Sequence, residues 1–238
     1  MKPLVKRTVL VPALLAATLC SPVAAQTLPD SSSPAPGGTD VVGAILDSMK
    51  LLVIEHGIRI GLQPKTRREL DGPFWSDYRQ SIRWPSRWED SDSWLVNYVG
   101  HPIHGAAAGI LWLDHGPDEN ASIRLDKRYL GSRARAAAFS AVYSLQFEIG
   151  PLSEASIGNV GQQPDTTGWV DHVVTPIGAF ALMVAEDALD RYFVEWVERR
   201  VGNRVVRGIL RVLFHPSRTF ANVVQNRAPW HRPDRPLR

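Results

Sequence analysis

The chain has 238 residues, 27 Lys and Arg against 24 Asp and Glu, and a single cysteine. That composition excludes a disulfide scaffold and a cysteine-based metal knuckle, and it suits one domain with a sizeable core. The formal charge of +3 conceals a split, because residues 199–238 carry ten arginines and one acid, leaving residues 26–198 at −9. Such an end meets something anionic, either elsewhere or on its own body.

Residues 1–25 read as a secretory signal. Lys2, Lys6 and Arg7 precede an apolar run from Val9 to Leu19, and Val23-Ala24-Ala25 supplies the small residues a signal peptidase requires. Ala17-Thr18-Leu19 lacks the small residue expected before a lipidated Cys20, so cleavage after Ala25 is expected to remove the only thiol. Export to the periplasm or to an outer-membrane-associated position follows. Residues 26–39, rich in Pro, Ser and Gly, read as a disordered leader.

A single helical domain is expected over residues 40–224. Asp40 is suited to cap a first helix whose apolar face is Val41, Val42, Ile45, Leu46, Met49, Leu52, Val53, His56 and Ile60, with His56 as a buried core histidine. Pro64, Gly72, Pro73 and Pro85 prevent any long element over residues 61–93. The rings of Phe74, Trp75, Tyr78, Trp84 and Trp88 in that stretch are expected to pack over the core, and Asp90-Ser91-Asp92 reads as a helix cap. Trp94 to Leu113 carries no formal charge, and Gly105 to Gly109 predicts close helix packing. An Ala-rich helix over 131–147 and a long one from Trp169 past Glu195, kinked at Pro176, follow.

The last helical stretch, Trp196 to Phe214, places Arg200, Arg204, Arg207 and Arg211 in one stripe, a basic amphipathic pattern suited to an anionic membrane surface or envelope component. After His215-Pro216 an irregular chain is expected, ending in an irregular basic tail over 225–238 whose extreme C-terminus is disordered. The fold class is all-α: a compact bundle of about five to six helices with small-residue packing and long irregular connections.

No Gly-x-Ser-x-Gly elbow, phosphate-cradling glycine loop or His-Glu-x-x-His is present, and nothing resembles a nucleic-acid module. One polar constellation stands out. Asn97, His101 and His104 share a helix face at i, i+4 and i+7; Asp171, Thr175 and Gly178 share another, with His172 beside them; Glu148 ends the helix between, and Glu154 follows. Burying such groups is costly unless they meet, so Asn97, His101, His104, Glu148, Asp171, His172 and Thr175 form one expected polar site. Glu148, Asp171 and His101 are the candidate acid–base residues, and His101, His104 and Asp171 the candidate ligands of a divalent metal. In a dry, metal-free site, pairing is expected to raise the histidine pKa values and lower those of the carboxylates. A hydrogen-bonded network that fixes helix register is the alternative.

Asn97-Tyr98-Val99-Gly100-His101-Pro102, Glu148 and Asp171-His172-Val173-Val174-Thr175-Pro176-Ile177-Gly178 resemble an uncharacterised family of bacterial envelope proteins, a domain of unknown function, over roughly residues 92–190. The mid-helix Glu and later Asp bear a fainter likeness to VanZ-like membrane proteins. The resemblance implies helices and an envelope setting, and no activity. The insert Asp114–Arg128 departs from it. Two function classes stay open: a docking or structural protein at the membrane surface, and a hydrolase or transferase acting on envelope lipid or cell-wall material.

Overall fold

The computed structural model describes residues 38–117, 126–158 and 166–237; the expected signal peptide and nearly all of the leader lie outside them. The described residues form helices and no strand, so the chain is an all-α bundle. The helices are α1 (Val41–Leu62), α2 (Pro64–Glu69), α3 (Phe74–Ser81), α4 (His101–Asp114), α5 (Lys127–Ile149), α6 (Trp169–Leu189), α7 (Glu195–Glu198), α8 (Arg204–Phe214) and α9 (Pro216–Val224).

Local chemistry sets the starts. The Asp40 carboxylate accepts from Gly43 N at 2.9 Å, and Asp126 accepts from Tyr129 N at 2.8 Å, so α1 and α5 each begin on an aspartate cap. A wide π turn, Val96–Gly100, leads into α4, where His101 N reaches back to Val96 O. Pro102, with no N–H and a ring that crowds the preceding turn, is accommodated just after this widening.

The charge-free segment is the centre of the bundle. Helix α4 packs against α1, α5, α6 and α9. Ala106, Ala107, Ala108 and Leu111 are fully buried with Leu51, Leu52, Ala136, Ala179 and Met183. The small residues bring the backbones together as expected. A Cβ on Gly105 would stand 2.6 Å from Thr175 Cγ2 and 2.9 Å from Thr175 O, and one on Gly178 would lie 2.6 Å from Pro102 Cγ. Alanine in a helix gains about 1 kcal/mol over glycine, but overpacking costs about 1–3 kcal/mol, and the Thr175 carbonyl cannot rotate away. Gly105→Ala is therefore expected to lower the urea midpoint; an unchanged or raised midpoint would show that α4 and α6 can slide apart freely.

Several expectations are corrected. In α1 the buried face is Ala44, Asp47, Ser48, Leu51, Leu52 and His56, while Val41, Val42, Ile45, Leu46 and Val53 are exposed. Asp47 is accommodated inside because His115 Nε2 lies 2.9 Å from its carboxylate and Lys50 pairs with it. The expected helix 196–214 is broken at Val201-Gly202-Asn203, where Asn203 caps α8 by accepting from Val205 N and Val206 N. Pro216 starts α9, where an irregular chain was expected, because its missing N–H is no loss in a first turn. The expected long helix from Trp169 past Glu195 is present: α6 contains Pro176 and continues through a π turn, Asp190–Val194, to Glu198.

The basic end is spent largely on the body. Arg211 is buried and forks onto Glu198, with Nε–Oε1 at 2.5 Å and Nη2–Oε2 at 3.1 Å, and Arg207 lies 3.9 Å from the same carboxylate. Arg218 and Arg227 pair with Asp114, and Arg235 pairs with Asp190 and Glu198. The stripe expected to face an anionic surface thus keeps two of its four arginines inside, Arg207 and Arg211, because acids of the −9 body are near enough to take them. Arg200 lies over the Trp196 ring at 4.0 Å, and Arg204 is exposed. The tail from residue 227 to 237 is irregular, as expected, and it is tied to the body by the same pairs through Arg235. Among the described residues one stretch, Trp169–Glu198, is long and apolar enough to cross a membrane by length and composition.

Candidate functional site

The π turn and the start of α4 bring Asn97, His101 and His104 to one end of the bundle, beside the first turns of α6 and the last turn of α5. There His101, Glu148 and Asp171, all buried, place one ligand atom each within 4.8 Å of the others. His101 Nε2 stands 3.3 Å from Asp171 Oδ1, and its Nδ1 lies 3.2 Å from Thr175 Oγ1. The grouping takes Glu148 where the spacing had suggested His104.

His104 faces a different acid. Its Nδ1 donates to Glu55 Oε2 at 2.9 Å, and Tyr143 OH donates to the same oxygen at 2.8 Å. A carboxylate oxygen only accepts, so the proton of a neutral His104 sits on Nδ1 and its Nε2 carries a lone pair. That Nε2 is buried and makes no hydrogen bond. The His104 ring is 5.8 Å from the His101 ring and 4.5 Å from Phe147.

The remaining residues ring this group. Asn97 Nδ2 donates to Asp90 Oδ1 at 2.7 Å. Arg59 pairs with Asp92 at 3.3 Å and with Glu154. His172 packs edge-on against Trp169, with ring centroids 5.9 Å apart, and its buried Nδ1 makes no hydrogen bond. Thr175 is fully buried under His101. The expected seven-residue site is thus gathered at one end, in two parts: His101, Glu148, Asp171 and Thr175 together, and His104 on Glu55.

Spacing arguments missed Glu55, Arg59, Asp90 and Asp92. The first two arise from α1 and the others from the 82–93 loop, and neither segment has a periodic signal linking it to α4. The Asp-Ser-Asp run was visible, but as a cap; Ser93 performs that service, accepting from Val96 N.

Charge in the site is unbalanced. Asp90, Asp92, Glu148, Glu154 and Asp171, with Glu55 beside His104, supply six carboxyl groups, and among the described residues Arg59 is the permanent cation paired with them. Burial pushes Asp171 up to about 9, helped by the nearby charges of Glu148, Asp90 and Asp92. Burial also raises Glu148 to about 7, with Arg59 and His104 pulling the other way. His101 falls to about 3, first through burial and then because the neighbouring His104, Arg59 and His172 each disfavour a further positive charge beside them. These directions reverse the expectation from pairing, because desolvation and like-charge repulsion outweigh the single His–Asp contact. Asp171 Oδ1 makes no hydrogen bond.

A tryptophan-rich face adjoins the site. The 82–93 loop is stitched to the start of α6 by Trp169 N to Arg87 O, 3.0 Å, and Val170 N to Trp88 O, 2.8 Å. A Cβ on Gly168 would come within 2.7 Å of the Trp88–Asp90 backbone, so only glycine allows this approach. Trp84 stacks on Trp169 at 5.9 Å, Trp94 stacks on Tyr98 at 5.7 Å, and Trp88 Nε1 donates to Tyr98 OH. Of the rings expected to cover the core, Trp75 and Trp84 are 72% and 68% exposed, and Trp94 beside them is as open as Trp84.

Comparison of the chain with protein-family models, with characterised proteins and with solved structures gives no match. The functional reading therefore rests on the site itself.

Proposed function

We propose that the protein is a membrane-surface hydrolase or transferase of the cell envelope, acting on lipid or lipid-linked material through a divalent metal held by His101, Glu148 and Asp171. The observation that carries this reading is the convergence of three buried ligand atoms within 4.8 Å. One imidazole and two carboxylates are a ligand set that divalent catalytic metals take with a position left for water. A network that only fixed helix register would satisfy its own donors and acceptors. Here Asp171 Oδ1 and His104 Nε2 are buried and make no hydrogen bond.

In this reading Glu55 holds the His104 ring with Nε2 free, the arrangement of a general base. Water gives a proton to Nε2, its oxygen bonds to the acyl carbon or phosphorus of the substrate, and the leaving oxygen takes the proton back. The exposed tryptophans favour a lipid-facing site, since indole rings settle at the headgroup level of a bilayer. Docking at the membrane is then part of the same function.

The test is elemental analysis of the purified protein before and after reconstitution with zinc or manganese. About one equivalent of bound metal is expected. His101→Ala should lose it, whereas His104→Gln should keep it and lose about 10²–10⁴-fold in hydrolysis of lipid esters. A wild-type protein that takes up no metal under either condition would end this reading.

A further inference from the structure

A second concave site lies in another part of the molecule. It is a cavity of about 580 Å³ walled by Val205, Ile209, Val212 and Leu213 of α8 and by Trp230 and Leu237 of the C-terminal tail. Its volume falls within the range of small-molecule sites, about 300–1,000 Å³. Helix α8 packs on the π turn that follows α6, so this cavity and the His101 group lie near opposite ends of α6, a helix of 21 residues and hence about 30 Å long.

The apolar wall is an inversion of the usual amphipathic arrangement. Arg207 and Arg211 turn inward to Glu198, which leaves Val205, Ile209 and Leu213 outward, each more than half exposed. The opposite wall is built and held. Asn222 Nδ2 donates to the carbonyls flanking Trp230, at 3.0 Å to Pro229 O and 3.1 Å to His231 O, and Arg211 donates to Trp230 O at 3.2 Å. The backbone at Trp230 is therefore pinned, and its ring lies 3.8 Å from where a Cβ on Gly208 would stand, so the slot is concave, a shape that a flat bilayer would not fill.

One charge lines the slot. Arg204 stands at its rim, and among the described residues it has no ion pair, unlike its neighbours Arg207 and Arg211. It also sits in the first turn of α8, the positive end of the helix dipole. The lining runs along α8 from Arg204 to Leu213, and an apolar slot with one unneutralised guanidinium at the start of that run is complementary to an acyl chain ending in one anionic group. We infer that the cavity binds a free long-chain fatty acid, its chain along Ile209, Leu213 and Trp230 and its carboxylate on Arg204.

This inference stands apart from the proposed metal chemistry and is tested by direct titration. Full-length protein is titrated calorimetrically with dodecanoate and decanoate below their micelle thresholds. Saturable binding at one site is expected, with dodecanoate roughly fifteenfold tighter, since each of its two extra methylenes is worth about fourfold when buried. Arg204→Gln should weaken dodecanoate at least tenfold, roughly the loss of one charge-assisted hydrogen bond, and leave dodecanol binding unchanged. Gly208→Phe should fill the slot and abolish both. Should that variant misfold, Ile209→Glu serves instead, because Ile209 is already exposed and its carboxylate would repel the ligand. Absence of saturable dodecanoate binding to wild type overturns the inference, as does unchanged affinity in folded Gly208→Phe or Ile209→Glu. Arg204-dependent binding to phosphatidylglycerol vesicles without dodecanoate binding would assign the slot to bilayer lipid and also overturn it.

Discussion

Glu198→Ala is expected to lower the unfolding free energy by about 3–5 kcal/mol, the usual cost of stranding one partner of a buried ion pair. The Arg211 side chain is fully buried and its fork closes on both Glu198 oxygens. Arg235 Nη1 reaches the same carboxylate at 3.0 Å, and Arg207 is 3.9 Å away. Removing Glu198 therefore leaves three guanidinium groups facing one another, and Arg211 has only the Trp230 carbonyl left to it. Burial alone would raise the Glu198 pKa, but the Arg211 hydrogen bonds and the charges of Arg211, Arg235 and Arg207 win and hold it below the usual range. Its stabilisation is consequently present above the unfolded value of 4.5 and lost as pH falls through the lowered one. Urea denaturation at pH 7 measures the effect. The double variant Glu198→Leu, Arg211→Met should recover much of the loss, because it removes both charges and keeps apolar volume. A loss below about 1 kcal/mol, the worth of an exposed pair, would show that Arg211 reaches water in solution.

The same pair illustrates what a helical wheel can and cannot reveal. The stripe of Arg200, Arg204, Arg207 and Arg211 was legible from spacing, but spacing does not say which side of a helix faces the protein. A basic stripe normally points outward. Here the −9 body supplies Glu198, and Arg207 and Arg211 of the stripe are drawn in while Val205, Ile209 and Leu213 are left out. In α1 the difficulty was saturation. Apolar residues occur nearly all round that helix, so the stripe chosen from them was not the buried one, and the polar pair Asp47 and His115 decided the orientation. The candidate site was more readable because its signal was chemical. His101, Glu148, Asp171 and Thr175 are ionisable or polar residues within apolar, small-residue helices, and the cost of isolation brings them together. Glu55, Arg59, Asp90 and Asp92 come from segments whose placement depends on tertiary packing alone, and no local pattern announces them.

Metal-free protein is expected to lose stability as pH rises from about 6.5 to 9, and added zinc or manganese should restore it most at the alkaline end. Native Asp171, buried and repelled by Glu148 and Asp90, keeps its proton up to about 9, whereas an unfolded aspartate releases it near 3.8. Between those values the native state binds more protons, so unfolding free energy falls with rising pH. Glu148 acts in the same direction between 4.5 and about 7. His101 opposes them, since its native pKa of about 3 lies below the unfolded 6.5 and stability rises with pH across that interval; His56, His172 and His215, also lowered by burial, act with it and together offset the carboxyl groups below 6.5. Above 6.5 the histidine contribution is complete and only the carboxyl groups remain, so the decline emerges there, on the order of 2 kcal/mol between pH 7 and 9 for a single group. A cation bound to deprotonated Glu148 and Asp171 replaces the missing protons and is favoured by every unit of added pH. Thermal melts with chelator and with metal at pH 6, 7.5 and 9 should therefore diverge progressively. Asp171→Asn removes the group with the largest upward shift, so its chelated melts should be nearly flat over the same range. Parallel curves with and without metal, or a wild-type stability that does not fall above pH 7, would mean that the carboxylates of this site are already neutralised by Arg59 and leave no charge for a cation to meet.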